Sequence, residues 1–147
     1  MRRLQSRIGT PLAPLHALSM GELAAMSWLA ESWTQRDTVT GFAGRVIALD
    51  FDVFLSNVTG SMSSVLGHFG LPADSGYLAH VGRSPVLTRY SKAPEYGYTP
   101  EVREEVLRDS RQRNRAEISR GMDWLERLAG ADAAAAEVMN GIDVREP

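Results

Sequence analysis

The segment RVIALDFDVFLSN, residues 45–57, constrains the fold more than any other. Val46-Ile47-Ala48-Leu49 is apolar at consecutive positions and closes on two acids, Asp50 and Asp52. A short apolar run of this kind fits a strand covered on both faces, as in a parallel sheet. A strand is therefore expected at about 45–50. Such a strand needs neighbours along both edges, because buried backbone N–H and C=O groups must be paired. The rest of the sequence reads as helix and loop. Either the helices wrap a single strand, or its sheet partners are not in this chain.

Local signals place the helices. Ser19-Met20-Gly21-Glu22 fits a capping box, in which the serine caps the helix start and the glutamate reaches back. Leu23, Met26, Leu29 and Trp33 then recur at helical spacing, predicting an amphipathic helix over about 20–36. Thr38 to Gly44 reads as a connection. Beyond the strand, Asp52 is placed to cap a short turn at 53–56. Asn57 or Thr59 is placed to cap the next helix, whose apolar stripe is Met62, Val65, Leu66 and Phe69. Gly70 followed by Leu71-Pro72 stops that helix.

Residues 73–98, rich in Gly, Ser, Pro and Tyr, read as one long loop. Thr99 and Pro100 open a long helix, with threonine as cap and proline at the first helical position. Its stripe (Val102, Val106, Ile118, Met122, Leu125) holds to about residue 128 but weakens between 107 and 118, where a bend is expected. Gly130 is expected to end it. Residues 1–17 carry Pro11 and Pro14 and read as irregular. The alanine-rich stretch 131–147 reads as a frayed or loosely docked helix.

Length and composition narrow the class. A chain of 147 residues, 44% hydrophobic and 23% charged, fits one globular domain. A net charge of −2 offers no electrostatic footprint for nucleic acid or an anionic membrane. The absence of cysteine excludes disulfides, thiolate zinc sites and a cysteine nucleophile. No apolar run is long enough for a signal peptide or a membrane span, so a cytoplasmic protein is expected. The sequon Asn57-Val58-Thr59 then carries little weight.

Over about residues 19–128 the sequence resembles the C-terminal half of bacterial sulfotransferase-like proteins. Asp50-Phe51-Asp52 with Phe54-Leu55 is similar to an acidic-aromatic stretch that ends a late parallel strand in that family. His68-Phe69-Gly70-Leu71-Pro72 is similar to the end of the helix that follows. TRYSKAPEYGYTPEVREEVL and RGMDWLERL resemble the family's tail. The resemblance implies a P-loop-like α/β sheet. It also implies transfer of a sulfuryl group from 3′-phosphoadenosine 5′-phosphosulfate (PAPS) to a hydroxyl or amine, without a metal. The family's phosphosulfate loop, a backbone cradle at a helix start, has no counterpart here before residue 45. Nor are its catalytic base and central 3′-phosphate contacts identifiable. On this reading the lone strand's neighbours belong to an absent N-terminal half. The chain would be a truncated product, a fragment or one part of a split protein, inactive by itself.

The best candidate for chemistry is Arg89-Tyr90-Ser91-Lys92. A guanidinium, a hydroxyl and an ammonium within four residues can hold a phosphate. By resemblance, Arg89 and Lys92 stand where many sulfotransferases carry an Arg-Lys-Gly loop for the 3′-phosphate and adenine. Here the cations are separated and Ala93 replaces the glycine. The cofactor implied is PAPS or adenosine 3′,5′-bisphosphate. The bland alternative is a solvated basic turn.

Weaker candidates each have an ordinary reading. Arg83-Ser84 after Gly82 could be a second anion contact or a polar turn. Tyr90, Tyr96 and Tyr98 could stack on a purine or anchor a loop. Asp50 and Asp52 could bind magnesium or do acid–base work, or cap a turn. His16, His68 and His80 lack metal-ligand spacing, and Trp28, Trp33 and Trp124 read as core or docking residues. Arg111, Arg113 and Arg115 could meet an acidic partner, or simply belong to a solvated helix face. The function alternative to a sulfotransferase portion is a small helical interaction or dimerisation module without catalysis. Its partner would be the absent half or a second copy of the chain.

Overall fold

The computed structural model describes residues 2–90 and 92–141. It is mostly helical, with a single small antiparallel sheet among the described residues. The elements run α1 (Arg2–Gln5), a 3₁₀ turn (Leu15–Ala17), α2 (Met20–Gly41), α3 (Phe51–Ser56), α4 (Val58–His68) and α5 (Ser75–Gly82). A second 3₁₀ turn (Pro85–Thr88), β1 (Arg89–Tyr90), β2 (Ala93–Gly97), α6 (Pro100–Arg113), α7 (Arg115–Ala131) and α8 (Ala133–Met139) follow. The described chain falls into two compact units. One is made by residues up to 41 together with those from 110 on, the other by residues 42–109.

The first unit is built on α2 and α7. The capping box forms: the Ser19 N–H donates to Glu22 Oε2 at 2.8 Å, and the Glu22 N–H to Ser19 Oγ at 3.2 Å. α2 runs past the expected end at 36 to Gly41. No stop signal intervenes, and the side chains of its last turns find partners. Thr34 and Thr38 bond back to the carbonyls of Ala30 and Thr34, Arg36 pairs with Glu137, and Asp37 pairs with Arg7. The core comprises Leu4 and Ile8, Ala25, Met26 and Leu29 of α2, Trp124, Leu125 and Leu128 of α7, and Ala135 and Val138 of α8. The N-terminal stretch is thus not wholly irregular, since its apolar residues seal the bundle.

α2 and α7 touch backbone to backbone. A Cβ on Gly21 would overlap the Glu117 carbonyl, and one on Gly121 would lie 2.6 Å from the Gly21 carbonyl oxygen. Glycine at both crossing positions is what lets the helices come this close. The bend expected within 107–118 falls at Asn114. Its amide donates to the Ser110 carbonyl at 2.9 Å, so a side chain competes with the helix ladder, and α6 ends while α7 begins. α7 continues past Gly130 to Ala131. Asp132 then caps α8, accepting from the N–H groups of Ala134 and Ala135 at 3.0 Å each. The same carboxylate accepts the Gly9 N–H at 2.7 Å. α8 is therefore firmly docked through Ala135 and Val138, and the expectation of a frayed tail is corrected over 133–139. Residues 142–147 lie outside the described residues.

The second unit overturns the strand reading. Residues 46–49 are half-buried and join no ladder; Val46 makes only an isolated bridge to Ala43. The apolar run predicted burial, but a strand exists only when another segment pairs with it, and none in this unit does. Asp50, not Asp52, caps α3, accepting from the N–H groups of Asp52 and Val53 at 2.8 and 2.9 Å. Asn57 caps α4 through the Gly60 N–H at 3.0 Å. Gly70 stops it in the left-handed region at φ +66°. The expected loop 73–98 is in fact α5, capped by Asp74, a 3₁₀ turn and the β1–β2 hairpin. α5 is short and carries glycines at Gly76 and Gly82, which hid its periodicity.

Candidate functional site

Arg89 and Tyr90 form β1, paired antiparallel with β2 through Arg89 opposite Gly97 and Tyr90 opposite Ala93, with a register irregularity between the two pairs. The Tyr98 N–H donates to the Thr88 carbonyl at 2.7 Å and closes the base of the hairpin. Tyr90 and Tyr98 meet edge to face, ring centroids 5.5 Å apart. Tyr96 stands apart on β2 and is 66% exposed. The tyrosines thus divide: Tyr98 with Tyr90 anchors the hairpin, and Tyr96 is the ring left open to solvent.

Arg89 reaches only the Pro94 carbonyl, at 3.5 Å, and no carboxylate pairs with Arg89 or Lys92 among the described residues. Both cations are exposed, Arg89 on β1 opposite Gly97 and Lys92 in the turn between the strands. Ser91 lies outside the described residues. The arrangement can offer two positive charges to an anion. It has no enclosed wall, and neither side chain is held by a second partner.

The other candidates are occupied locally. Arg83 Nε donates to the Ala79 carbonyl at 3.0 Å and Ser84 caps the 3₁₀ turn. The Asp50 carboxylate is spent on the α3 cap, and Asp52 pairs with Arg103 at 2.5 Å. These two acids therefore do not converge on a site. His68 packs against Phe69 edge to face. Trp124 is core, Trp33 lies under the Arg7 guanidinium at 5.7 Å, and Trp28 is 48% exposed.

Sequence reasoning missed two surfaces. In the 42–109 unit no apolar side chain is buried; the one fully buried side chain is Ser61, whose hydroxyl has no partner among the described residues. Phe42, Phe51, Phe69, Leu71, Tyr77 and Val86 are all exposed. In the first unit, a groove of about 450 Å³ runs along α2 and α7, lined by Gly21, Ala24, Trp28, Ile118, Gly121 and Met122 among others. The stripe of the 20–36 helix was legible, but its second apolar edge, Met20-Ala24-Trp28, was not separated from the core edge.

No family model matches the chain, and neither does any curated protein or solved structure. No helix among the described residues is long and apolar enough to cross a membrane.

Proposed function

We propose that the chain is an interaction module, whose 42–109 region is completed by docking onto another protein chain. The observation that carries this is the absence of any buried apolar side chain among residues 42–109, beside a well-formed core in the other unit. Scattered surface apolars are ordinary, but a unit whose apolar side chains are at best half-buried draws less on the main driving force for its own stability. Residues 46–49 add to it: an apolar segment without ladder partners offers its backbone to a strand of another chain. The test is hydrogen exchange on the purified chain. Amides of 42–109 should exchange far faster than those of α2 and α7. Protection of 43–49 and of α4 equal to that of α7 would defeat the reading.

A second reading follows from the sulfotransferase resemblance, with the hairpin as a half-site for a nucleotide phosphate. Arg89 and Lys92, without a carboxylate partner among the described residues, and the exposed Tyr96 on the same hairpin favour it. A site this open would bind weakly unless a partner supplied the rest. Calorimetric titration with adenosine 3′,5′-bisphosphate, beside an Arg89→Ala/Lys92→Ala variant, decides it. Binding that the variant loses supports a half-site, and no binding by the folded chain removes it. The sulfuryl-transfer activity itself remains part of this second proposal and would need the phosphosulfate cradle from elsewhere.

A further inference from the structure

Asparagine is a thermally labile side chain, and the asparagines of this chain, Asn57, Asn114 and Asn140, differ in what holds them. The Asn57 carboxamide oxygen accepts the Gly60 N–H at 3.0 Å in the α4 cap, and the β-branched Val58 follows it. The Asn114 amide nitrogen donates to the Ser110 carbonyl at 2.9 Å and to Ser110 Oγ at 3.3 Å. Its own carbonyl accepts the Ile118 N–H at 2.9 Å, so the backbone beyond it is set in α7. Asn140 closes α8, and its side chain has no hydrogen-bond partner among the described residues.

The residue after Asn140 is a glycine. Gly141 is exposed and stands at φ +111°, and its N–H reaches the Val138 carbonyl at a long 3.3 Å. Without a Cβ, it leaves its backbone nitrogen open to the approach of a side-chain carbon. Asn140 sits at φ −72° and ψ −2°. Bringing its Cγ onto the Gly141 nitrogen requires ψ to turn out of the helical region. At the end of α8 that turn costs the 3.3 Å bond and leaves the Asn140 N–H on the Ala136 carbonyl.

We infer that Asn140 is a site of spontaneous deamidation, and that the change loosens the last turn of α8. The Gly141 backbone nitrogen attacks Asn140 Cγ and gives its proton to solvent. A carbon–nitrogen bond forms and closes a succinimide ring. The bond from Cγ to the carboxamide nitrogen breaks, and that nitrogen leaves as ammonia. Water then adds to either ring carbonyl and opens the ring to aspartate or isoaspartate. In sum, asparagine and water give an acid and ammonia, with no change of oxidation state.

The new carboxylate stands at the carbonyl end of α8, where the helix dipole disfavours an anion. Three residues before it is Glu137, already paired with Arg36, and like charges at that spacing repel. Two residues before it is Val138, 2% exposed, through which α8 docks. Isoaspartate also lengthens the main chain by one atom just past that docked turn.

The test is peptide mapping by mass spectrometry of the folded full chain, incubated in mildly alkaline buffer at physiological temperature beside a sample in denaturant. Asn140 should convert in the folded chain at a rate within severalfold of the denatured one, while Asn57 and Asn114 stay amides. Gly141→Val should slow the conversion about tenfold. Hydrogen exchange on the aged chain and on Asn140→Asp should show the Val138 and Met139 amides opening severalfold faster than in the fresh chain, with α2 unchanged. An Asn140 that converts only in denaturant, or a rate indifferent to Gly141→Val, overturns the site. Unchanged protection of Val138 and Met139 in both the aged chain and Asn140→Asp overturns the loosening.

Discussion

Gly21 and Gly121 show how one missing carbon shapes the first unit. With no side chains at the crossing, α2 and α7 approach until the backbone of one meets the backbone of the other. Gly21→Ala should therefore lower unfolding stability by about 3 kcal/mol, because the clash is with main chain and cannot be relieved by a rotamer. Gly130→Ala is the contrast: nothing lies near its would-be Cβ and it sits in helix. That change should raise stability by roughly 0.5 kcal/mol. Urea denaturation of both variants measures the difference.

Two carboxylates of the first unit, Glu117 at this crossing and Asp132 at the start of α8, link stability to pH. The Gly21 N–H, donating at 2.7 Å, holds the Glu117 carboxyl below its ordinary range. The N–H groups of Ala135 and Gly9 do the same for Asp132. A folded-state pKa below the unfolded one adds stability that is present above the unfolded value and lost as pH falls through the folded one. Thermal midpoints should thus hold steady above about pH 5 and drop as the pH goes below about 4. Glu117→Gln and Asp132→Asn should each start from a lower midpoint and lose less on acidification.

Among the elements, those that begin with a local device were readable from the chain. The Ser19–Glu22 box, the Asn57 cap, the Thr99-Pro100 start and the Gly70 stop each act within a few residues, and each stands where expected. Asn57→Ala should cost about 1 kcal/mol and leave α4 the first helix to melt, visible as faster exchange of the Gly60 and Ser61 amides. α8 behaves differently. Its alanines give no stripe, yet Val138 is buried against the bundle. Val138→Ala should cost about 2 kcal/mol in denaturant titration, far more than the same change at the exposed Val86.

The hairpin and α5 were not readable. A two-residue strand and an eight-residue helix that includes two glycines carry too few positions for a period to emerge. The candidate site shares this limit. The identity of Arg89 and Lys92 is plain in the sequence, but only the hairpin brings Tyr98 against Tyr90 and leaves Tyr96 open.

At the scale of the whole molecule, the apolar interior lies in one unit and the uncovered apolar surface dominates the other. Leu29, fully buried, should be a keystone: Leu29→Ala should cost about 3 kcal/mol, a large fraction of the stability of a domain this size. Phe51→Ser, at an exposed position, should leave the main thermal transition unmoved while reducing binding of a hydrophobic dye. A shifted transition in the second variant would mean that 42–109 carries a core of its own.

The sequence by itself determined where helices start and stop, because caps, glycines and prolines act through bonds to their own neighbours. It also determined that residues 46–49 seek burial. Only the tertiary structure decided that this run joins no ladder in its own unit beyond the isolated Val46–Ala43 bridge, since a strand is defined by the segment beside it and not by its own composition. The same holds for the two glycines: each is an ordinary letter in the chain, and becomes a requirement only where the opposite backbone arrives.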